Sequence, residues 1–109
     1  MSSNTSTRTA LQVKLQAHHN QLAEMLADLE TYQVFQSERH DQLTRRYEQL
    51  ERQTEALTNP ETVRGQKLTA SYERISEQHA RSEEELDELE NQVIEPLREA
   101  REVLGQLLA

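Results

Sequence analysis

The chain has 109 residues, 34% hydrophobic and 29% charged, with two Gly, two Pro, one Phe and no Cys or Trp. Sheets want β-branched and aromatic residues bounded by turn residues, which are scarce here, and without Cys there is neither a disulfide framework nor a thiolate nucleophile. Twenty acidic side chains against twelve basic ones give a net charge of −8, which argues against gripping nucleic acid through its phosphates.

The opening MSSNTSTRTA has no apolar core, so it does not read as a signal peptide. No apolar run approaches the ~20 residues of a membrane span. A soluble, cytoplasmic protein without membrane contact is the expectation. Residues 1–8 are rich in Ser, Thr and Asn and predict a disordered tail. Thr9-Ala10-Leu11-Gln12 fits a capping box, and a first helix is expected over 9–58.

Leu11, Leu15, His18, Leu22, Met25, Leu29 and Tyr32 follow one another at alternating intervals of four and three, which marks a heptad seam. The stretch QSERHDQ, 36–42, then passes without an apolar side chain. Leu43, Tyr47, Leu50, Thr54 and Leu57 resume the rhythm, offset by about one residue as a stutter would produce.

Thr58-Asn59-Pro60-Glu61 is the strongest punctuation. Pro suits the first turn of a helix, and Asn or Thr caps that turn, so a reversal is expected at 58–60 and a second helix over 60–108. Its seam reads Leu68, Tyr72, Ile75, His79, Ser82, Leu86, Leu89 and Val93, then Leu97, Ala100, Leu104 and Leu107. Pro96 interrupts it and predicts a kink near 92–95.

Folding the chain at 59–60 sets residue i against about residue 119 − i. The polar stretch 36–42 then meets EQHARSE, 77–83, the poorest stretch of the other arm for core residues. His40 falls beside His79, and Glu38 beside Arg81. The fold class predicted is all-α: a long, coiled-coil-like antiparallel hairpin with a polar waist that selects the register. A break at Ser37, giving a three-helix bundle, is the alternative; the matched gaps favour the hairpin.

The apolar stripe widens at the open end, where Leu22, Met25, Leu26, Leu29, Ile94, Leu97, Val103, Leu104 and Leu107 are more than a two-helix seam can cover. An uncovered apolar stripe marks an association surface. These nine residues are the candidate partner-binding set, and the partner is another protein or a second copy, as a homodimer completing a four-helix assembly.

His40, Asp41, His79 and Glu83 form the one cluster with metal-ligand types. His79 and Glu83 share a helical face, but the repeated Glu-x-x-His set of di-metal bundles is missing. Paired histidines at a waist would also repel one another when protonated. Glu83, Glu84, Glu85, Asp87, Glu88 and Glu90 crowd one segment. A solvated face explains them, and an acidic inhibitor occupying a basic nucleic-acid-binding surface is the alternative function.

No phosphate loop or nucleophile arrangement is present, and a hairpin lacks a water-excluding cleft. No enzyme activity, cofactor, metal or small-molecule substrate is therefore expected. In length and all-helical outline the chain resembles small helical chaperones, such as export chaperones of secretion systems and tubulin-binding cofactor A. No family motif accompanies that likeness, and no residue roles are carried over. The function expected is helix–helix contact, as an assembly subunit, adaptor or chaperone.

Overall fold

The computed structural model describes residues 2–109, with side chains from residue 6 onward. Helix α1, Ser2–Glu55, runs 54 residues without interruption. The return arm consists of helix α2, Val63–Glu88, a six-residue π-helical turn, Leu89–Ile94, and helix α3, Glu95–Leu108. The fold is an all-α helical hairpin, with no strand among the described residues. Two compact units compose it: Gln33–Glu88 around the turn, and Met1–Tyr32 with Leu89–Ala109.

Helix α1 departs from the expected 9–58 at its start, at its end, which is Glu55, and in the phase of its seam, and it is continuous through Ser37 as the expected hairpin requires. It begins at Ser2 rather than Thr9, so residues 2–8 are helical and not a tail; Met1 lies outside the described residues. It passes through Ser37 without a break, so the start of a separate helix expected in the three-helix alternative is absent. Its inward stripe is also one unbroken heptad. Leu15, Leu22, Leu29, Gln36, Leu43 and Leu50 recur every seven residues, with Leu57 keeping the interval just past the helix end, and His19, Leu26, Gln33, His40, Tyr47 and Thr54 run alongside, all buried or half-buried.

The expected seam positions His18, Met25 and Tyr32 are exposed instead, and no stutter intervenes. The reason lies beyond residue 36. Extended toward the turn, the line through His18 and Met25 meets Arg39, Arg46 and Gln53, whereas the line through His19 and Leu26 meets His40, Tyr47 and Thr54. Of the two lines, the second is the less costly set to bury.

At the turn the cap is Thr62, not Thr58 or Asn59. The Thr62 hydroxyl accepts the Gly65 N–H at 3.1 Å and donates to the Asn59 carbonyl at 3.1 Å. The Gln66 N–H donates to the Thr62 carbonyl at 2.9 Å as the first helical bond of α2. Asn59 is occupied locally: its Oδ1 accepts the Glu61 N–H at 3.1 Å, an Asx turn that postpones the helix by one turn. Gly65 closes the arrangement. A Cβ there would lie 2.7 Å from the Pro60 carbonyl oxygen and 2.9 Å from that of Asn59, which only Gly avoids.

Pro96 disturbs the return arm as expected, and the disturbance is a change of winding. Lacking an N–H, Pro96 cannot bond the Gln92 carbonyl and its ring crowds that oxygen. The wider π turn over Leu89–Ile94 accommodates both effects. It also adds one residue to the turn. Upstream, Leu68, Tyr72, Ile75, His79, Ser82, Leu86 and Leu89 face inward as predicted. Downstream the seam moves on by one: Ile94 is fully buried while Val93 is 39% exposed, and Leu97, Leu104 and Leu108 are half-buried while Ala100 and Leu107 are exposed.

Ile94→Ala is therefore expected to cost about 2–5 kcal/mol and Val93→Ala less than about 0.5 kcal/mol, as read by urea unfolding; equal losses would contradict the shifted phase. The two glycines should respond oppositely. Gly65→Ala meets backbone and should destabilise by about 1–3 kcal/mol. At Gly105 a Cβ meets only the His19 ring at 3.5 Å, so Gly105→Ala should stabilise by about 0.5–1 kcal/mol.

Candidate functional site

The Gln33–Glu88 unit carries a ladder of four rings contributed alternately by the two arms. His40 stacks on His79 with centroids 4.7 Å apart, His79 on Tyr47 at 5.2 Å, and Tyr47 on Tyr72 at 5.4 Å. Both direct pairs, 40 with 79 and 47 with 72, obey the predicted 119 − i register. Glu38 and Arg81, set opposite each other by the same sum, are both exposed.

Hydrogen bonds lock the ladder sideways. The Thr44 hydroxyl donates to the His40 carbonyl at 3.0 Å and lies 2.9 Å from His79 Nε2. One hydroxyl has one proton, so His79 Nε2 must be the donor to Thr44, which fixes its tautomer. His40 Nδ1 lies 3.1 Å from Ser82 Oγ, and the Tyr47 and Tyr72 hydroxyls are 3.1 Å apart. Thr54 and Thr69 return their hydroxyls to the carbonyls of Leu50 and Gly65. Among the described residues, no buried side-chain nitrogen or oxygen lacks a partner. A polar seam so satisfied can specify alignment without orphaned groups.

The metal reading finds little here. Asp41 and Glu83 are exposed, and among the described residues no three His, Asp or Glu side chains converge on a possible cation position. The ladder's chemistry shows instead in Tyr72. Its bond to Tyr47, then desolvation and the nearby Glu51 and Glu55 carboxylates, push its pKa up to about 12.

The unit of Met1–Tyr32 with Leu89–Ala109 has two unlike flanks. On one, Arg98 binds Glu90 at 2.8 Å across the π turn, Glu95 at 3.3 Å, and Glu30 of α1 at 3.3 Å. Glu90 above all, with Glu30 and Glu95, raises the Arg98 pKa further. All four side chains are well solvated, so this cluster orients the π turn more than it stabilises the fold.

The other flank is apolar. Leu11, Met25 and Tyr32, on the α1 line that includes His18, are 55%, 44% and 52% exposed, and Val93, Val103 and Leu107 are 39%, 53% and 64% exposed. Leu11, His18, Met25 and Tyr32 each stand three residues after, or four before, a seam leucine of α1. Val93, Ala100 and Leu107 stand in the same relation to the seam of the return arm. Because the arms are antiparallel, equal offsets bring both lines to the same side of the pair. In the Gln33–Glu88 unit the corresponding positions, Arg39, Arg46, Ser71, Gln78 and Glu85, are polar.

The nine candidate partner-binding residues therefore divide. Leu26 and Ile94 are buried within the chain, and Leu22, Leu29, Leu97 and Leu104 are half-buried along the seam, so these six pack the hairpin itself. Met25, Val103 and Leu107 are exposed. Leu11, Tyr32 and Val93 join them on the flank. The seven-residue recurrence through Leu11 and Tyr32 was visible in the sequence but stood there as seam. Of the acidic run, Glu83, Glu84, Glu85, Asp87 and Glu88 are exposed, and half-buried Glu90 is held by Arg98.

No helix is long and apolar enough to cross a membrane among the described residues. No family model matches the chain, and neither a curated protein nor a solved structure does.

The raised pKa sets a direction for pH dependence. Tyr72 is favoured neutral in the fold, so its contribution is complete below pH 10 and is lost as pH rises through about 12. Tyr47→Phe removes the largest cause, and the late phase of the tyrosinate absorbance titration should move to lower pH. An unchanged late phase would assign it to another tyrosine.

Proposed function

We propose that the chain is a non-enzymatic helix-packing module, an assembly subunit, adaptor or small chaperone, that binds another protein through the apolar flank of its Met1–Tyr32 and Leu89–Ala109 unit. The observation that carries this reading is the segregation of exposed Leu11, Met25, Tyr32, Val93, Val103 and Leu107 on one flank, opposite the Arg98 cluster. Large side chains left in water along a helix pair mark a surface that is covered in use. Each would contribute about 1.5–3 kcal/mol if fully buried.

The surface area supports it as well. The chain exposes 8490 Å², whereas a compact monomer of its 12.7 kDa exposes about 6,200 Å². A single layer of two helices has a seam but no second layer over it, and a further helix or pair is what usually supplies one.

The test is a paired substitution. Met25→Asp with Leu107→Asp should leave helicity by circular dichroism unchanged, because both side chains already meet water. It should abolish association with any partner, measured as complex mass by light scattering. Reversing Glu83, Glu84, Glu85, Asp87 and Glu88 to Lys should leave that association within about twofold, since exposed charges contribute little at moderate salt. The opposite outcome, with binding lost steeply as salt rises, would replace this reading with an acidic inhibitor.

A further inference from the structure

We infer that the occupant of the apolar flank is a second copy of this chain, laid face to face so that α1 crosses antiparallel over α1 of the second copy about a twofold axis level with Gln21. This deepens the function proposed above and rests on it. Three features of the flank select this partner and this arrangement.

The first is area. From Leu11 to Tyr32 the face is about 32 Å long at 1.5 Å per residue, and two helices side by side are about 20 Å wide. A copy laid on it removes roughly 600 Å² from each partner, at the lower bound of stable, specific interfaces. A single partner helix would cover only about half of that.

The second is charge. The outer edge of this face on α1 is Lys14, Gln21 and Asp28, seven residues apart, and on the return arm it is Pro96 and Val103. Lys14 and Asp28 are thus the only charged side chains on these two edges, of opposite sign and equidistant from Gln21. Stacking α1 on α1 of a second copy about Gln21 sets each Lys14 against the other copy's Asp28, twice by symmetry. Stacking α1 on α3 instead sets Asp28 against uncharged Pro96 and Gln21 against Val103, and gives Lys14 no acidic partner on that edge. Closed twofold pairing needs this kind of self-complementarity, and it stops the assembly at two chains.

The third is shape. Gly105 lies beside the His19 ring, so Gln21 is level with about Val103 on the return arm. The same axis then places Val103 against Val103 of the second copy, and Ala100, the small residue of its line, within one residue of Leu107. Small against large is the alternation by which packed layers interdigitate.

The chain has no Cys, which makes the axis directly testable. Full-length Gln21→Cys should form a covalent dimer under mild oxidant, because two copies of this residue meet at the axis, while Val13→Cys, 65% exposed in the parent chain but off the face, should not. In sedimentation equilibrium the parent chain should be a dimer. Lys14→Glu alone and Asp28→Lys alone should each raise the dissociation constant on the order of 2–10-fold, and the double exchange should restore it.

A chain that stays monomeric at millimolar concentration, or a double exchange weaker than both single ones, overturns this dimer. The broader reading falls separately. A monomer that captures another protein, with capture lost in the Met25→Asp, Leu107→Asp variant, keeps the interaction face and removes the second copy as its occupant. A monomer whose associations ignore that variant removes both.

Discussion

Two helices laid side by side can shield only one stripe of each other, and most features of this chain follow from that limit. Among the described residues only four large aliphatic side chains, Leu26, Leu50, Ile75 and Ile94, are buried, and of these only Ile94 completely; the remaining seam residues are half-covered. A half-covered seam gives weak selection among registers, since a slip by one heptad exchanges Leu for Leu. The polar waist answers this. A slip of seven would set His40 against Leu86 or Tyr72, separating it from Ser82 and taking His79 away from the Thr44 hydroxyl. Leucines would tolerate the slip, but the hydrogen-bonded rings would not. Gly65, tight against the Pro60 carbonyl, adds a second restraint by holding the length of the turn.

The same limit makes phase consequential. Any change in winding rotates the whole downstream arm about its axis and exchanges its inward residues for others. The π turn before Pro96 does this once. With regular winding Val93, Pro96, Ala100, Val103 and Leu107 would face α1; with it Ile94, Leu97, Leu104 and Leu108 do. The exchanged set is itself apolar, so the rotation leaves a second apolar line in water rather than a charged one. On the return arm, one backbone event thus creates both the better-packed seam and that arm's share of the uncovered flank.

These events were unequally legible in the sequence. The α2 seam from Leu68 to Leu89 and the pairing of His40 with His79 could be read directly, because those positions have polar neighbours on either side and only one phase is available. Near the open end two phases were available. Leu22 and Leu29 are flanked by Met25 and Tyr32 on one side and by Leu26 and Gln33 on the other, and local hydropathy favours the first pair. The choice is made some twenty residues away, where Arg39 and Arg46 compete with His40 and Tyr47. An assumed stutter at 36–42 cut off that information; leucines at seven-residue intervals from Leu15 to Leu57, with Gln36 the one exception, carry it across. The π turn was legible only as a disturbance, because Pro96 signals a lost hydrogen bond but not which winding absorbs it. Of the nine candidate partner-binding residues, six lie along the seam and three on the exposed flank.

Turned around, the same competition explains why Gln33 and His19 occupy the seam while Tyr32 and Met25 lie in water. In an isolated hairpin that arrangement wastes apolar surface, and a helix free to choose locally would rotate to bury it. Continuity of α1 forbids the rotation, since turning Met25 and Tyr32 inward would also turn Arg39 and Arg46 toward the return arm. Burying an unpaired guanidinium costs several kcal/mol, more than exposing a Met or a Tyr. Along α1 the line that carries Met25 and Tyr32 is therefore the one that also carries Arg39 and Arg46, and the line that carries His19 and Gln33 is the one that carries half-buried His40 and Tyr47.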